Sequence, residues 1–282
     1  MIRSVRVFAK PKSREAIRLA GELREWLSRR SVAVRLDHTT RRALGIDEEP
    51  EEPEKEPADL VVVLGGDGTL LSVARQLGRD SPILGVNLGT LGFLTEVSRG
   101  ELYPTLVEVL ASRFEIDERA LLLVRHLKKQ GAVSEFAVLN DVVVNKSALA
   151  RIIRLNLRID DRDVAVYRAD GLIVSTPTGS TAYNLSAGGP IVHPSLRVAV
   201  ITPICPHTLT LRPLVVPDSS TLEITLETPH EEVFLTLDGQ EGTALGFEDR
   251  VQVRVAPDRV RLVRAGRRTF YDGLRSKLRW GE

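Results

Sequence analysis

The chain has little of several features that would narrow its function at once. Cys205 is the only cysteine among 282 residues. No disulfide can form within the chain, and a reducing cytoplasm is the simplest location. No apolar run approaches the roughly 18 residues that a membrane-spanning helix requires. The N-terminal residues also lack the apolar block of a secretion signal. We therefore expect a cytoplasmic protein with no membrane partner.

The chain also has no excess of either charge. Lys and Arg number 39 and Asp and Glu number 38, which gives a net charge of +1. Without a basic stripe there is little support for a nucleic-acid partner. Hydrophobic residues make up 43% and charged residues 27%, which is typical of a soluble globular protein. The length suits one large domain or two ordinary ones.

The pattern of segments changes near residue 115. Before it, strands and helices alternate, as they do in a parallel sheet covered by helices. After it, short strands follow one another with turn residues between them. We predict a Rossmann-like α/β domain over 1–115 and a mostly β, sandwich-like domain over 116–268. A final helix within 269–282 is expected to pack back on the first domain.

Individual elements follow from periodicity and from turn residues. Ser13 can cap a helix whose apolar residues share one face. The acidic, proline-rich stretch from Asp47 to Pro57 is expected to be a solvated loop. Further helices are predicted at 102–110 and 270–280. Strands are predicted at 4–9, 32–36, 60–64, 83–86, 121–125, 136–144, 152–159, 164–167, 171–175, 198–202, 222–226, 233–237, 251–255 and 260–263.

The first candidate functional segment is a glycine turn, Gly65-Gly66-Asp67-Gly68, between an apolar strand and a helix from Thr69. Open α/β sheets bind ligands at the carboxyl ends of their strands, where backbone N–H groups suit phosphate oxygens. The sequence contains neither the P-loop motif with its lysine nor the third glycine of the dinucleotide fingerprint. Two interpretations stay open. The turn binds phosphate through Gly65, Gly66, Gly68 and Thr69, or it is only a tight turn in which Asp67 caps the helix.

Two later segments are polar within apolar surroundings. Asn140 offers a donor and acceptors to an adenine edge or a ribose hydroxyl, and Asp141 can accept from a hydroxyl. A plain Asn-Asp turn is the alternative. The segment from Thr176 to Tyr183, TPTGSTAY, has four hydroxyls in its first six positions. That density suits a neutral base and ribose, although Ser/Thr/Gly-rich stretches are usually loops.

Together, GGDGTLL, the Asn-Asp pair and DGLIVSTPTGSTAYNLSAGGPI resemble the NAD kinase family in order and in separation. The resemblance covers nearly the whole chain, as far as the Asp238-Gly239-Gln240 turn. It implies phosphorylation of the adenosine 2′-hydroxyl of NAD to give NADP, with ATP or polyphosphate as donor. It also implies a divalent cation, most simply Mg²⁺ carried by the nucleotide, with no prosthetic group. A homodimer or homotetramer is expected.

The family pattern assigns roles to residues of this sequence. Asp67 corresponds to the catalytic aspartate, which either orients the hydroxyl and accepts its proton late or holds Mg²⁺ against the donor phosphates. Many members carry Asn-Glu where this chain has Asn140-Asp141, so the charge is kept with a shorter reach. The residues expected to bind NAD are Asp67, Gly68, Asn140, Asp141, Arg151, Arg168, Asp170, Thr181, Ala182, Tyr183, Asn184, Leu185, Ser186 and Gln240.

The same sequence features have alternative functional interpretations. Lipid and sugar kinases also carry GGDG turns, but they lack the TPTGSTAY segment, and no amphipathic membrane-docking helix stands out. A non-catalytic NAD-sensing module would need the pocket without Asp67. The five histidines are scattered without metal-ligand spacing. Phe93 either packs against a nicotinamide or adenine ring or belongs to the core.

Overall fold

The chain divides into two compact units in the computed structural model, which describes residues 2–46, 57–77, 81–90, 92–208, 210–264 and 268–280. The first unit contains Met1–Glu118 and Val260–Glu282, and the second contains Arg119–Arg259. Apart from Pro57, the loop expected from Asp47 to Pro57 lies outside the described residues. Within those residues, no helix has the length and apolar character needed to cross a membrane.

The strands and helices are numbered in chain order. The strands are β1 (Ser4–Ala9), β2 (Ala33–Leu36), β3 (Leu60–Gly65), β4 (Ile83–Asn87), β5 (Val97–Ser98), β6 (Glu115–Arg119), β7 (Leu122–Leu127), β8 (Val133–Val138), β9 (Asp141–Lys146), β10 (Ile153–Ile159), β11 (Arg162–Ala169), β12 (Gly171–Ser175), β13 (Val198–Ile204), β14 (Leu214–Pro217), β15 (Thr221–Leu226), β16 (Val233–Leu237), β17 (Glu241–Leu245), β18 (Arg250–Val255) and β19 (Val260–Arg264). The α-helices are α1 (Arg14–Ser28), α2 (His38–Ala43), α3 (Asp67–Gln76), α4 (Leu102–Leu110), α5 (Tyr183–Ser186) and α6 (Phe270–Leu278).

The first unit is built on a mostly parallel sheet with the order β2-β1-β3-β4-β19-β6, and β5 lies beside β4. β1 pairs in parallel with β2 and β3, and β4 pairs in parallel with β3, β5 and β19. β3 is buried along its whole length, as expected of a strand covered on both faces. The predicted α/β class of this part of the chain is confirmed.

The helix α1 shows how the sequence fixes an element locally. The Ser13 side chain accepts a hydrogen bond from the backbone N–H of Ala16 at 3.2 Å, which caps the helix. Ala16, Ala20, Leu23 and Leu27 are buried with little or no exposure. Their spacing of three and four residues places them on one face, and that face joins the core of the first unit.

The second unit consists, over its described residues, of two six-stranded sheets with the orders β11-β10-β15-β18-β7-β8 and β14-β13-β12-β9-β16-β17. All pairs recorded within them are antiparallel. Apolar residues of both sheets form one buried cluster, so the sheets pack face to face as a sandwich. The predicted β class of this part is confirmed.

The strands β5, β6, β14 and β17 and the helices α2 and α5 lie outside the predicted set. Two further differences concern the sheet to which a predicted strand belongs. The segment predicted as one strand at 136–144 is two strands, β8 and β9, which lie in different sheets. The apolar run is nearly continuous, but the chain changes sheet at Leu139 and Asn140. The strand at 260–264, which we expected in the β-rich domain, pairs with β4 through Leu262 and Ile83. The second compact unit therefore ends at Arg259.

Candidate functional site

The glycine turn lies where the strand β3 runs into the helix α3, at the carboxyl end of the parallel sheet of the first unit. Gly66 is the N-cap residue and makes no side-chain capping bond. Asp67 is the first residue of α3. A β-carbon at Gly65 would overlap the Thr69 side chain, so this turn requires glycine to stay compact.

The Asp67 carboxylate does not cap its own helix. Oδ1 accepts from the backbone N–H of Leu94 at 3.2 Å, the N–H of Thr95 at 3.0 Å and the Thr95 hydroxyl at 2.8 Å. Oδ2 accepts from the N–H of Phe93 at 2.7 Å. The loop 93–95 therefore fixes the direction of this carboxylate, and the interpretation of Asp67 as a helix cap is wrong.

The loop 93–95 is itself supported from both sides. The Asn87 side chain, at the end of β4, donates to the Thr95 hydroxyl at 2.8 Å. The Phe93 ring packs against Gly273 of α6 and carries the Lys277 ammonium 4.7 Å from its centroid. Phe93 is thus a packing residue between the loop and α6.

The second unit contains a pocket of about 320 Å³. Four residues predicted to bind NAD line it, namely Asn140, Asp141, Ala182 and Tyr183. The other lining residues are Val143, Asn145, Thr236, Asp238 and Gly239.

The strand period explains one wall of this pocket. Asp141, Val143 and Asn145 alternate along β9 and line the pocket, whereas Val142 and Val144 belong to the core of the sandwich. Thr236 of β16 pairs with Val143 and extends the same wall.

The backbone at Asn140 is fixed by Asp238. The carboxylate of Asp238 accepts from the N–H groups of Leu139 at 3.1 Å, Asn140 at 2.7 Å and Asp141 at 3.2 Å. The N–H of Asp238 in turn donates to the Asp141 carbonyl at 3.0 Å. The Asn-Asp segment is therefore held rigidly at the pocket, since each of its N–H groups has a partner.

Gly179 allows the TPTGSTAY segment to approach the Asn140 backbone at the pocket. A β-carbon at this position would overlap the carbonyl oxygen of Asn140 and would lie 2.7 Å from its Cα. The Asn140 carbonyl also accepts from the N–H of Thr176 at 2.9 Å. The close approach of the two backbones brings residues 182–183 to the pocket.

The hydroxyls of this segment bond within the protein. Thr176 donates to the Leu139 carbonyl at 2.6 Å, Ser180 to the Pro177 carbonyl at 2.6 Å, and Thr181 to the Thr178 carbonyl at 3.3 Å. These three hydroxyls therefore fix the conformation of the segment, and the expectation that the segment binds the ligand stays a prediction.

The Asn184 side chain is likewise hydrogen-bonded within the protein. It is fully buried. Its amide donates to the carbonyls of Ser180 and Pro190, each at 3.2 Å, and accepts from the Thr202 hydroxyl at 2.6 Å. This side chain ties α5 to β13.

The electrostatics of the pocket centre on two carboxyl groups. Asp141 is 4% exposed. Burial, and next the nearby negative charge of Asp238, raise the pKa of Asp141 to about 7. A carboxyl group whose charge changes near neutral pH therefore lines the pocket.

The other residues predicted to contact NAD in this unit lie outside the lining of this pocket. Asp170 pairs with Lys146, with 3.6 Å between Oδ1 and Nζ. Arg151 and Arg168 are exposed, and Gln240 directly follows Gly239 of the lining. Of the same group, Thr181 and Leu185 are half-buried and Ser186 is exposed.

Sequence reasoning missed Asp238, Val143, Asn145, Thr236 and Gly239 as pocket residues. An Asp-Gly pair between two strands is a hairpin signal, and both residues have positive φ, of 50° and 63°. That signal predicts the turn between β16 and β17. It does not predict that the carboxylate bonds to residues about a hundred positions earlier.

A protein-borne metal site is not supported by the described residues. They contain no group of three or more His, Cys, Asp or Glu side chains able to hold a metal ion. The Asp67 carboxylate already accepts four hydrogen bonds. Oδ2 accepts only one of these bonds, so it keeps a lone pair for a hydroxyl or for a cation that the nucleotide brings.

Comparison with known proteins identifies the family. Residues 5–114 match the ATP-NAD kinase N-terminal domain and residues 139–265 match the ATP-NAD kinase C-terminal domain. An NAD kinase of Geobacter sp. (strain M21) is 50% identical, with 100% of both chains covered. An NAD kinase of Solibacter usitatus is 46% identical, with 100% of this chain and 99% of the relative covered.

Two solved structures agree with these matches. Yeast NADH kinase complexed with NADH has a TM-score of 0.90 and 28% identity, covering 100% of this chain and 88% of that one. An NAD kinase from Archaeoglobus fulgidus in complex with ATP has a TM-score of 0.75 and 27% identity, covering 99% of each. The chain therefore belongs to the NAD kinase family of phosphoryl-transfer enzymes.

Proposed function

We propose that this enzyme transfers the terminal phosphoryl group of ATP to the 2′-hydroxyl of the adenosine ribose of NAD, which gives NADP and ADP. Family membership over both units supports the proposal. The complexes of yeast NADH kinase with NADH and of the Archaeoglobus enzyme with ATP support the two substrates. The observation that carries it is the fixed carboxylate of Asp67 at the glycine turn.

Asp67 can serve as the residue that orients and deprotonates the acceptor hydroxyl. Oδ1 accepts three of the described hydrogen bonds and Oδ2 accepts one. Because a carboxylate has about four lone-pair sites, two on each oxygen, Oδ2 keeps capacity for a hydroxyl proton. In the proposed step the 2′-oxygen bonds to the γ-phosphorus, the bond from that phosphorus to the bridging oxygen breaks, and the hydroxyl proton passes to Asp67. A loose transition state releases that proton late, which suits a weak base.

The glycine turn is proposed to bind the donor phosphates. The residues concerned, Gly65, Gly66, Gly68 and Thr69, lie at the N-terminus of the ten-residue helix α3. Backbone N–H groups and the helix dipole favour anions there. Mg²⁺ is proposed to arrive with ATP, and we assign no protein ligand to it.

The pocket of the second unit is proposed to bind the adenosine part of NAD. Its volume of about 320 Å³ lies at the lower end of small-molecule sites. The Asn140 amide can both donate and accept at a base or ribose, and the Asp141 carboxylate can accept from a hydroxyl. Tyr183, 45% exposed, offers an aromatic face for stacking.

The remaining predicted residues are proposed as further contacts or supports of the dinucleotide. Asn184 has its polar groups bonded within the protein, which supports a role in positioning the segment. The others in this proposal are Gly68, Arg151, Arg168, Asp170, Thr181, Leu185, Ser186 and Gln240.

Three further parts of the proposal concern the enzyme as a whole. We propose polyphosphate as a second donor, because the glycine turn would contact phosphates rather than a base. A homodimer or homotetramer is favoured by apolar side chains exposed on strands of the second unit, such as Val166, Val215 and Phe234. A cytoplasmic location is supported by the single cysteine.

The test is to incubate the purified protein with NAD, Mg²⁺ and ATP and to read NADP with an NADP-specific dehydrogenase. The proposal predicts NADP that accumulates with time and enzyme concentration. NADP formed from polyphosphate but not from ATP would correct the donor alone. NAD binding without NADP from either donor would contradict the proposal and favour a sensing module.

A further inference from the structure

We infer that Lys277, on the C-terminal helix, binds the phosphates of the donor next to Asp67. The inference rests on the proposed function. The Lys277 ammonium lies 3.9 Å from Oδ2 of Asp67 and 4.7 Å from the centroid of the Phe93 ring. A cation from the far end of the chain thus reaches the proposed catalytic carboxylate within the same compact unit.

The helix α6 is anchored in a way that fixes this lysine. At its start, Thr269 and Asp272 form a capping box. Leu274 is 1% exposed, and Gly273 lies so close to Phe93 that an added β-carbon would contact the ring at 3.4 Å. Lys277 follows Leu274 by three residues, on the same side of the helix. Packing therefore directs its side chain toward Asp67.

Lys277 is not needed to hold Asp67 in place. The carboxylate already accepts four hydrogen bonds from the loop 93–95. A separation of 3.9 Å is longer than a hydrogen bond. The ammonium has three donors, and the side chain is 25% exposed. Lys277 is therefore accessible to an anion from solvent, while the cation–π contact with Phe93 fixes its position.

Phosphoryl transfer is favoured by positive charge at this point, in addition to the Mg²⁺ that ATP brings. The donor brings several negative charges toward the carboxylate of Asp67, which repels them. Phosphoryl-transfer enzymes offset such charge with lysine, arginine or metal ions at the transferring group. This chain has no P-loop lysine after its glycine turn. Lys277 supplies a positive charge where the donor phosphates meet Asp67.

The test compares three variants in steady-state kinetics. Lys277→Met keeps an apolar stem over Phe93 and removes the charge, and Lys277→Arg keeps the charge. Arg275→Met is the matched control, because Arg275 lies on the same helix and pairs with Asp272 at 2.5 Å. Thermal unfolding of each variant is measured in parallel, and Lys277→Gln replaces the methionine variant if that one does not fold.

We expect the variants to change the KM for the phosphoryl donor, ATP, and not the KM for NAD. Lys277→Met raises the KM for ATP by about 10-fold or more, the scale of losing one charged hydrogen bond. The KM for NAD stays unchanged, Lys277→Arg recovers most of the loss, and Arg275→Met behaves as the wild type. An unchanged KM for ATP in Lys277→Met, or an equal rise in the KM for NAD, overturns the inference.

A binding measurement separates this inference from the proposed function. Titration calorimetry with inorganic tripolyphosphate needs no turnover. Weaker binding by Lys277→Met than by Arg275→Met supports the inference even if the wild type forms no NADP. Equal binding by both variants overturns it even if the wild type is an active NAD kinase.

Discussion

Gly92 leaves the space that the Asp67 carboxylate occupies, because a β-carbon at position 92 would overlap Oδ1 of Asp67. Gly92→Ala therefore has to displace the carboxylate from the N–H groups of the loop 93–95. Misplacing a reacting group by about 1 Å can cost on the order of 10²-fold in rate, and we expect a fall in kcat of that size. Steady-state kinetics check this, with Gly100→Ala as control, since nothing lies within 4 Å of a β-carbon there. A Gly92→Ala enzyme with the kcat of Gly100→Ala would contradict the geometry.

Gly179→Ala is expected to destabilise the second unit. Its β-carbon would meet the Asn140 backbone, which cannot move aside as a flexible side chain can. We expect a loss of roughly 1–3 kcal/mol in the free energy of unfolding, together with weaker NAD binding. Gly242→Ala is the control, because its β-carbon would make only an ordinary contact of 3.9 Å with the Leu235 carbonyl. Denaturant titration of both variants measures the loss of stability. Equal unfolding midpoints would contradict the close approach of Gly179 to the Asn140 backbone.

The stability of the protein should depend on pH through Asp141. Burial and the Asp238 charge raise its pKa to about 7, from 3.8 for an ordinary aspartate. The folded state therefore keeps a proton that the unfolded chain loses. The stability contributed by that proton is complete below the unfolded pKa and is lost as the pH rises through about 7.

Asp141→Asn removes this dependence, because the amide is neutral throughout. The free energy of unfolding of the variant minus that of the wild type should be larger at pH 8 than at pH 5, by about 3 kcal/mol. Urea titrations at the two pH values measure the difference, and titrating groups that do not interact with Asp141 cancel in the comparison, whereas the coupled carboxyl group of Asp238 contributes to the measured value. The same value at both pH values would show that Asp141 has an ordinary pKa.

We expect Asn184→Ala to lower the stability of the protein rather than to remove a direct contact with NAD. The variant leaves the Thr202 hydroxyl and the carbonyls of Ser180 and Pro190 without their present partner. Such buried groups cost about 1–3 kcal/mol each when unpaired, so a clear fall in the melting temperature is expected. Ser186→Ala, exposed and two residues later, should leave the melting temperature unchanged. A stable Asn184→Ala protein with lost NAD affinity would instead make Asn184 a direct contact.

Much of the fold follows from local pattern. The family and both fold classes are confirmed, and the strands at 4–9, 171–175 and 233–237 have the predicted bounds. Ser13 caps α1 as expected. These features depend on residues close together in sequence, where periodicity and capping chemistry act directly.

What the sequence does not predict depends on contacts between distant segments. An apolar strand at 260–264 has the same composition in either sheet, so its pairing with β4 is not visible beforehand. The residue types at Thr176 and Ser180 indicate hydrogen bonding, but not that the partners are backbone carbonyls. Lys277 lies 210 positions after Asp67 and meets it only because α6 returns to the first unit.

The catalytic role of Asp67 is tested by comparing Asp67→Asn with the wild type. NADP formation from NAD and ATP is followed, and NAD affinity is measured by calorimetry. Asparagine keeps the size of the side chain and removes the proton acceptor. We expect turnover to fall by at least ~10²-fold, the scale of a general-base contribution, while NAD affinity is retained. Turnover near that of the wild type would contradict the role of Asp67 and with it the proposed mechanism.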